Sequence, residues 1–141
     1  MGLILKWGEF DFSALERMTN HMRTSMENGI IEKFMHDFIL EVAFRAERKI
    51  KPRTPLGETG ELRRSWMVGK VERHGNDFVV EIYNNTEYAI FVEYGHRTGK
   101  DLTGWVDGRF MMTISMKEIE RELQTYYDKH VTRLLDDLMG G

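Results

Sequence analysis

The sequence predicts an α+β fold: a small antiparallel β-sheet of three to four strands, packed by a long N-terminal helix and a C-terminal helix. Three observations predict it. The stretch 54–95, TPLGETGELRRSWMVGKVERHGNDFVVEIYNNTEYAIFVEYG, holds three short apolar runs, each closed by a polar turn. Residues 30–50 carry apolar side chains at helical spacing, and residues 115–139 do so again. At 141 residues the chain reads as one domain, long enough to bury roughly 68% of the surface its unfolded form exposes.

Residues 1–12 are short and apolar, and read either as an extra strand or as an arm that orders against a partner chain. Ser13-Ala14-Leu15-Glu16 has the capping-box pattern, and Leu15, Met18, Met22 and Met26 follow on one helical face. Asn28-Gly29 reads as a stop or kink. The strongest helix is 30–50. Ile31, Phe34, Met35, Phe38, Val42, Ala46 and Ile50 make one stripe, and basic residues near its end suit the negative pole of the helix dipole. Pro52 and Pro55 then stop it.

Residues 56–60 are a turn, and 61–65 are a helical turn or a strand lead-in. Strands are predicted at 66–73, 78–83 and 88–94. His74-Gly75-Asn76-Asp77 closes a hairpin between the first two, and Asn84-Asn85-Thr86 turns the chain into the third. Residues 95–109, with four glycines, read as a mobile loop docked by Trp105 and Val106. Residues 110–115 are a fourth strand or a helix approach. Ser115-Met116-Lys117-Glu118 is a second capping box, opening a helix marked by Ile119, Leu123, Tyr126, Tyr127, Leu134 and Leu138.

The chemistry-bearing residues exclude more than they point to. There is no cysteine, so disulfides, thiolate metal sites and thiol nucleophiles are absent. The net charge of −3 gives no bulk attraction to nucleic acid or membrane, and no apolar run approaches the ~20 residues of a membrane span. The start of the chain does not read as a signal peptide. Gly95 to Asp101 (GHRTGKD) lacks the spacing of a phosphate loop and places an aspartate where Ser or Thr belongs. His21, His36, His74, His96 and His130 form no metalloprotease pair. Ser65 lacks nucleophile-elbow glycines. No enzyme signature, cofactor or metal is expected. One group stands out: Lys49, Lys51, Arg53, Arg63 and Arg64. It reads first as pairing with acidic residues of a neighbouring subunit, with Glu118, Glu120, Glu122, Asp136 and Asp137 as complements. The alternative is a nucleic-acid-binding module.

Two stretches then stand together. Thr54-Pro55, Thr59-Gly60, Leu62-Arg63 and Ser65 resemble the "TP-x-x-TG-x-LR-x-S" signature of the gene-product-ten-like tail component family of tailed phages. Tyr88-Ala89-Ile90-Phe91-Val92-Glu93-Tyr94-Gly95 is similar to that family's "YA-x-(Y/F)-V-E-x-G". The resemblance covers residue 30 to the C-terminus, and the first thirty residues read as an addition. Where the family often has a "QPF" segment, this chain reads Gly108-Arg109-Phe110-Met111-Met112. The resemblance implies a non-enzymatic assembly protein of the virion neck or tail, made in the bacterial host cytoplasm. Such a protein completes or terminates the tail, or joins it to the head, as a ring of six. Its partners would be its own copies and the tail-tube and head-connector proteins, with DNA at most passing through a central channel and no membrane.

Independently of family, a three- or four-stranded sheet leaves two edges open to strand addition, and a contact repeated by rotation closes a ring. The residues expected at the assembly interface are Arg63, Arg64, Glu93, His96, Arg97 and Trp105.

Overall fold

The computed structural model describes residues 2–5, 8–9, 28–75 and 77–140. The capping box and Met stripe expected at 13–26 lie outside the described residues.

The elements run β1 (Gly2–Leu5), β2 (Gly8–Glu9), α1 (Asn28–Arg53), α2 (Glu61–Arg64), β3 (Trp66–Val68), β4 (Glu72–His74), β5 (Asp77–Asn84), α3 (Ala89–Tyr94), β6 (Gly95–Thr98), β7 (Gly104–Asp107) and α4 (Met111–Gly140). The α+β class holds.

Helix α1 has 26 residues, about 39 Å at 1.5 Å per residue. The predicted stripe is its buried face: Ile31, Phe34, Met35, Phe38, Val42, Ala46 and Ile50 all face the core. Asn28 and Gly29 form the first residues of the helix, while the segment they were expected to stop lies outside the described residues. One boundary expectation is corrected: Pro52 sits inside the last turn of α1. Proline there removes one hydrogen bond, and the helix ends one residue later.

The predicted hairpin exists. Residues 66–74 run antiparallel to β5, with His74 opposite Asp77 and Trp66 opposite Asn84. The register slips by one between the Val68–Ile82 and Glu72–Val79 pairs. One extra residue is therefore accommodated as a bulge around Gly69, whose N–H donates to the Glu81 carbonyl at 2.8 Å. That splits the first predicted strand into β3 and β4. Of the two readings of residues 1–12, the extra strand is the one observed. β1 pairs parallel with the free side of β5, Leu5 opposite Ile82, and β2 pairs antiparallel with β1. The chain thus covers one edge of β5 itself, and the sheet runs β2-β1-β5, with β3 and β4 side by side along the last edge of β5.

Along β5, Phe78, Val80 and Ile82 point into the core against α1, while Val79, Glu81 and Tyr83 face away. Helix α4 packs along α1, burying Met111, Met112, Met116, Ile119, Leu123 and Tyr127. Phe34 and Phe38 of α1 stack, and both meet the edge of Tyr127 at 5.8–5.9 Å, spacings that favour aromatic pairs. The core is therefore one layer of side chains shared by α1, α4 and the inner face of the sheet.

The predicted third strand, 88–94, is a correction. It is the short helix α3, with Ala89 and Glu93 buried one turn apart. A run of seven residues, six of them apolar or aromatic, fits period 2 and period 3.6 alike, and the turn before it decides. Asn84 Oδ1 accepts from the Thr86 N–H and hydroxyl at 3.0 and 2.7 Å, and the Ala89 N–H reaches back to the Thr86 carbonyl. The second capping box is also corrected. Helix α4 starts at Met111, so Ser115 is interior and buried. Its hydroxyl donates to the Met111 carbonyl at 2.6 Å and accepts from Arg53 at 3.0 Å. Finally, the segment read as a structureless loop, 95–109, is the β6–β7 hairpin, His96 opposite Val106 and Arg97 opposite Trp105.

Candidate assembly surface

Two polar nodes position everything that follows. The first is the corner where α1 turns into the sheet. Thr54 is buried; its hydroxyl donates to the Ile50 carbonyl at 2.8 Å and accepts from Trp66 Nε1 at 2.9 Å. Its carbonyl takes two guanidinium bonds from Arg63, Nε at 3.1 Å and Nη2 at 2.7 Å. Gly60, at φ 69, enters α2 through a left-handed backbone that other residues resist, and Arg64 Nη1 donates to the Thr59 carbonyl. Buried Asn84 closes the corner by donating to the Leu62 carbonyl at 2.8 Å. The first sequence signature is thus a set of backbone locks.

The second node is Glu93, which is 0% exposed. Its Oε1 accepts from the Met112 N–H at 2.9 Å. Its Oε2 accepts from the Thr113 N–H at 2.9 Å and the Thr113 hydroxyl at 2.7 Å. Met112 and Thr113 lie in the first turn of α4, where backbone N–H groups have no partner within the helix and negative charge is favoured. A carboxylate twenty residues earlier in the chain does the work of an N-cap. The backbones cross just beside it: the Arg109 N–H donates to the Val92 carbonyl and the Phe110 N–H to the Glu93 carbonyl. A Cβ on Gly95 would lie 2.5 Å from the Val106 carbonyl oxygen, and one on Gly108 would lie 2.5 Å from the Glu93 carbonyl oxygen. Both glycines are needed for that crossing. The second signature, ending Glu93-Tyr94-Gly95, therefore fixes how the hairpin leaves the body.

What the hairpin carries is apolar and exposed. Trp105 is 58% exposed, with its Nε1 donating to Asp107 Oδ1 at 3.0 Å. Val106, and Leu102 at the tip, are exposed as well. Leu102 holds a positive φ of 58, a conformation costly for a branched side chain. Beside the hairpin, α3 exposes Ile90, Phe91 and Tyr94, and the entry to α4 exposes Phe110 and Ile114. The pieces touch: Phe91 meets His96 at 6.0 Å and Tyr94 meets Phe110 at 6.2 Å between ring centroids. The register puts His96 and Val106 on the hairpin face that meets Phe91, and Arg97 and Trp105 on the other face. This group of exposed apolar side chains around the hairpin, here called the platform, has the composition of an interaction surface.

The six expected interface residues divide between the nodes. Glu93 lies at the root of the hairpin, and the hairpin carries His96 on one face and Arg97 and Trp105 on the other. Trp105 and Arg97 are exposed, and Arg97 Nη1 donates to the Leu102 carbonyl. His96 is half-buried, its Nδ1 buried without a hydrogen bond to any described residue. Glu93 lies beneath the surface as the cap. Arg63 and Arg64 belong to the corner, where backbone carbonyls of the same chain take their donors. Sequence reasoning missed Ile90, Phe91, Tyr94, Phe110 and Ile114. The signal was present as a dense aromatic run, but reading it as a strand assigned half of it to the interior.

The rest of the basic group is answered within the chain. Lys49 Nζ lies 3.2 Å from Glu118 and 3.3 Å from Glu122, and Arg53 binds Glu118. Arg53 and Lys49 hold the Glu118 carboxyl below its ordinary pKa. Further along the same helix pair, Arg45 stacks over the Tyr126 ring at 4.3 Å. Burial pushes the Glu41 carboxyl up, but Arg45, His130 and Arg133 outweigh it and hold the pKa low. His130 Nδ1 is 3.0 Å from Glu41 without the alignment of a hydrogen bond, and burial lowers its pKa. These groups lock α1 to α4. A separate concavity of about 540 Å³ on the outer face of the sheet is lined by Lys70, Glu72, His74, Glu81 and Tyr83, a mixed set that favours no one ligand charge. Among the described residues no cluster could hold a metal ion, and no helix is long and apolar enough to cross a membrane.

No curated protein and no solved structure matches the chain significantly. One family model does, described as "Bacteriophage HK97-gp10, putative tail-component", over residues 16–95. The match begins inside the first thirty residues, so the part of them from 16 onward belongs to the family pattern and is not an addition. It ends on Gly95, and so takes in both signatures and the two nodes' buried Thr54 and Glu93. It covers more than half of the chain, and the chain belongs to the HK97 gp10-like family of phage tail components.

Proposed function

We propose that this protein is a structural subunit of the virion neck, acting as a ring that completes or terminates the tail or joins it to the head. The single observation that carries the reading is the platform. A rigid body presents a hairpin whose Trp105, Val106 and Leu102 are exposed, at a root fixed by Glu93, Gly95 and Gly108. A two-stranded hairpin is at best marginal alone, and the large exposed apolar side chains it carries gain most when a partner buries them. Family membership supports a partner from the phage particle. Copies of this chain and the tail-tube and connector proteins are the partners, and a ring of six is the expected assembly. The internal pairing of Lys49, Arg53, Arg63 and Arg64 leaves little of the basic group for nucleic acid, which favours the assembly reading over the DNA-binding one.

The test is mass in solution and negative-stain imaging of the protein and of particles that contain it. Rings at the neck are expected. Trp105→Asp is expected to keep the far-ultraviolet circular dichroism of the parent but to leave heads and tails unjoined, or tails of irregular length. Normal infectious particles assembled without this chain would refute the role.

A further inference from the structure

We infer that the repeated contact is heterologous: the hairpin of one copy, led by Trp105, seats on the outward face of α1 of the next copy, at Leu40 and Phe44. The inference rests on the ring reading above and names its contact.

Helix α1 supplies the first half of the argument. Its buried residues, from Ile31 to Ile50, occupy one side of the helix. At about 100° per residue, Phe44 stands on the opposite side, 43% exposed. Leu40, one turn earlier, is half-buried on that same side. A phenyl group on the side away from the core leaves much of its surface to water, and an exposed aromatic beside a second apolar side chain is the composition of an interface centre. The hairpin supplies the other half. Trp105 projects with its indole N–H already satisfied by Asp107, so what it still has to bury is apolar surface.

The chain therefore carries two different apolar features, one projecting and one lying along a helix. A two-fold dimer pairs two such features reciprocally within one interface, whereas a ring pairs each with a different neighbour; the ring reading selects the second. Charge points to the same pairing. Arg48 follows Phe44 by one turn, is exposed, and so flanks it on the helix surface. Asp107 flanks Trp105. Seating Trp105 on Phe44 brings the carboxylate towards the guanidinium, and opposite charges at the rim fix orientation.

The chain has no cysteine, so disulfide trapping is free of background. Phe44→Cys and Trp105→Cys are introduced singly and together, and the assembled protein is oxidised. The double variant should give a non-reducing ladder that passes dimer and ends at a closed species, and each single variant should stay monomeric on the gel. A dimer from Trp105→Cys alone would show a platform-to-platform contact and overturn the inference. No ladder from the double variant, while the parent protein is a ring by mass, would also overturn it and leave the ring reading standing. A parent that is monomeric in solution and forms no ring in the particle would remove the ring reading itself. Charge reversal keeps the wild-type aromatics. Arg48→Asp or Asp107→Arg alone should weaken association about tenfold or more, and the two together should restore most of it. Equal weakening in the double variant would count against the pairing.

Discussion

Removing the carboxylate of Glu93 is the sharpest test of how this fold holds its platform. In Glu93→Ala, the Met112 and Thr113 N–H groups and the Thr113 hydroxyl lose their acceptor. The site is closed to water around Glu93, which has no exposed surface. A lost cap costs about 0.5–2 kcal/mol. A buried donor left unpaired costs about 1–3 kcal/mol, and two backbone donors are affected. With some relaxation of the first turn of α4, the expected loss is about 3–5 kcal/mol. For a chain of this size each kcal/mol lowers the midpoint by roughly 2–4 °C, so thermal unfolding should shift by about 6–20 °C. Glu93→Gln retains one acceptor oxygen but turns an N–H₂ towards the Thr113 donors, and should lose about 1.5–3 kcal/mol. Urea titration followed by tryptophan fluorescence reads both values. A loss below about 1 kcal/mol in Glu93→Ala would mean that the helix start is held by packing alone, and the reasoning would fail.

Three further outcomes are expected. Gly95→Ala should lose about 1–3 kcal/mol or more, because the residue holds φ 87 and its Cβ would meet the Val106 carbonyl; an unchanged midpoint would show that the crossing has slack. Arg63→Ala should lose about 1.5–3 kcal/mol, since both its donors serve the Thr54 carbonyl, whereas exposed Arg64→Ala should stay within about 0.5 kcal/mol; equal losses in denaturant would contradict the corner described above. Stability should also fall with acid in two steps. His130 is held neutral by burial, its pKa below the ordinary 6.5. The unfolded chain therefore binds its proton first, and stability present above about pH 6.5 declines as pH falls towards the folded value. Glu41, Glu118 and Glu122 have lowered pKa values, against an ordinary 4.5, so their contribution is lost below about pH 4.5. His130→Phe, whose ring can pack on Phe34 and Phe38, should abolish the upper step and reduce Glu41's share of the lower one in a pH series of urea midpoints.

Much of the frame was legible in the chain because it depends on long periodic segments. The stripe from Ile31 to Ile50 spans several turns, and only a helix places those seven residues on one face. The hairpin closed by Gly75 was legible for the same reason, with alternation on both sides of a turn. The errors fell where segments are short. Residues 88–94 alternate as a strand would, yet the Asn84–Thr86 turn launches them as a helix. Ser115 and Glu118 have capping spacing, yet they point instead at Arg53.

The candidate surface divides in the same way. Trp105, His96 and Arg97 were identifiable as an exposed-looking, glycine-rich segment, and the two signatures placed the chain near its family. Nothing local, however, could assign Glu93 to the N–H groups of a helix that begins eighteen residues later, or Lys49 to Glu118.

By itself, then, the sequence determined the α+β class, the long helix and its buried face, the hairpin, and the absence of thiol chemistry, because each follows from residue type or from periodicity along the chain. Tertiary structure alone decided which charges are spent internally, which carboxylate caps the last helix, and which aromatics remain exposed on the platform. Those depend on contacts between segments far apart in sequence, whose free energies are set by burial and alignment in the folded body.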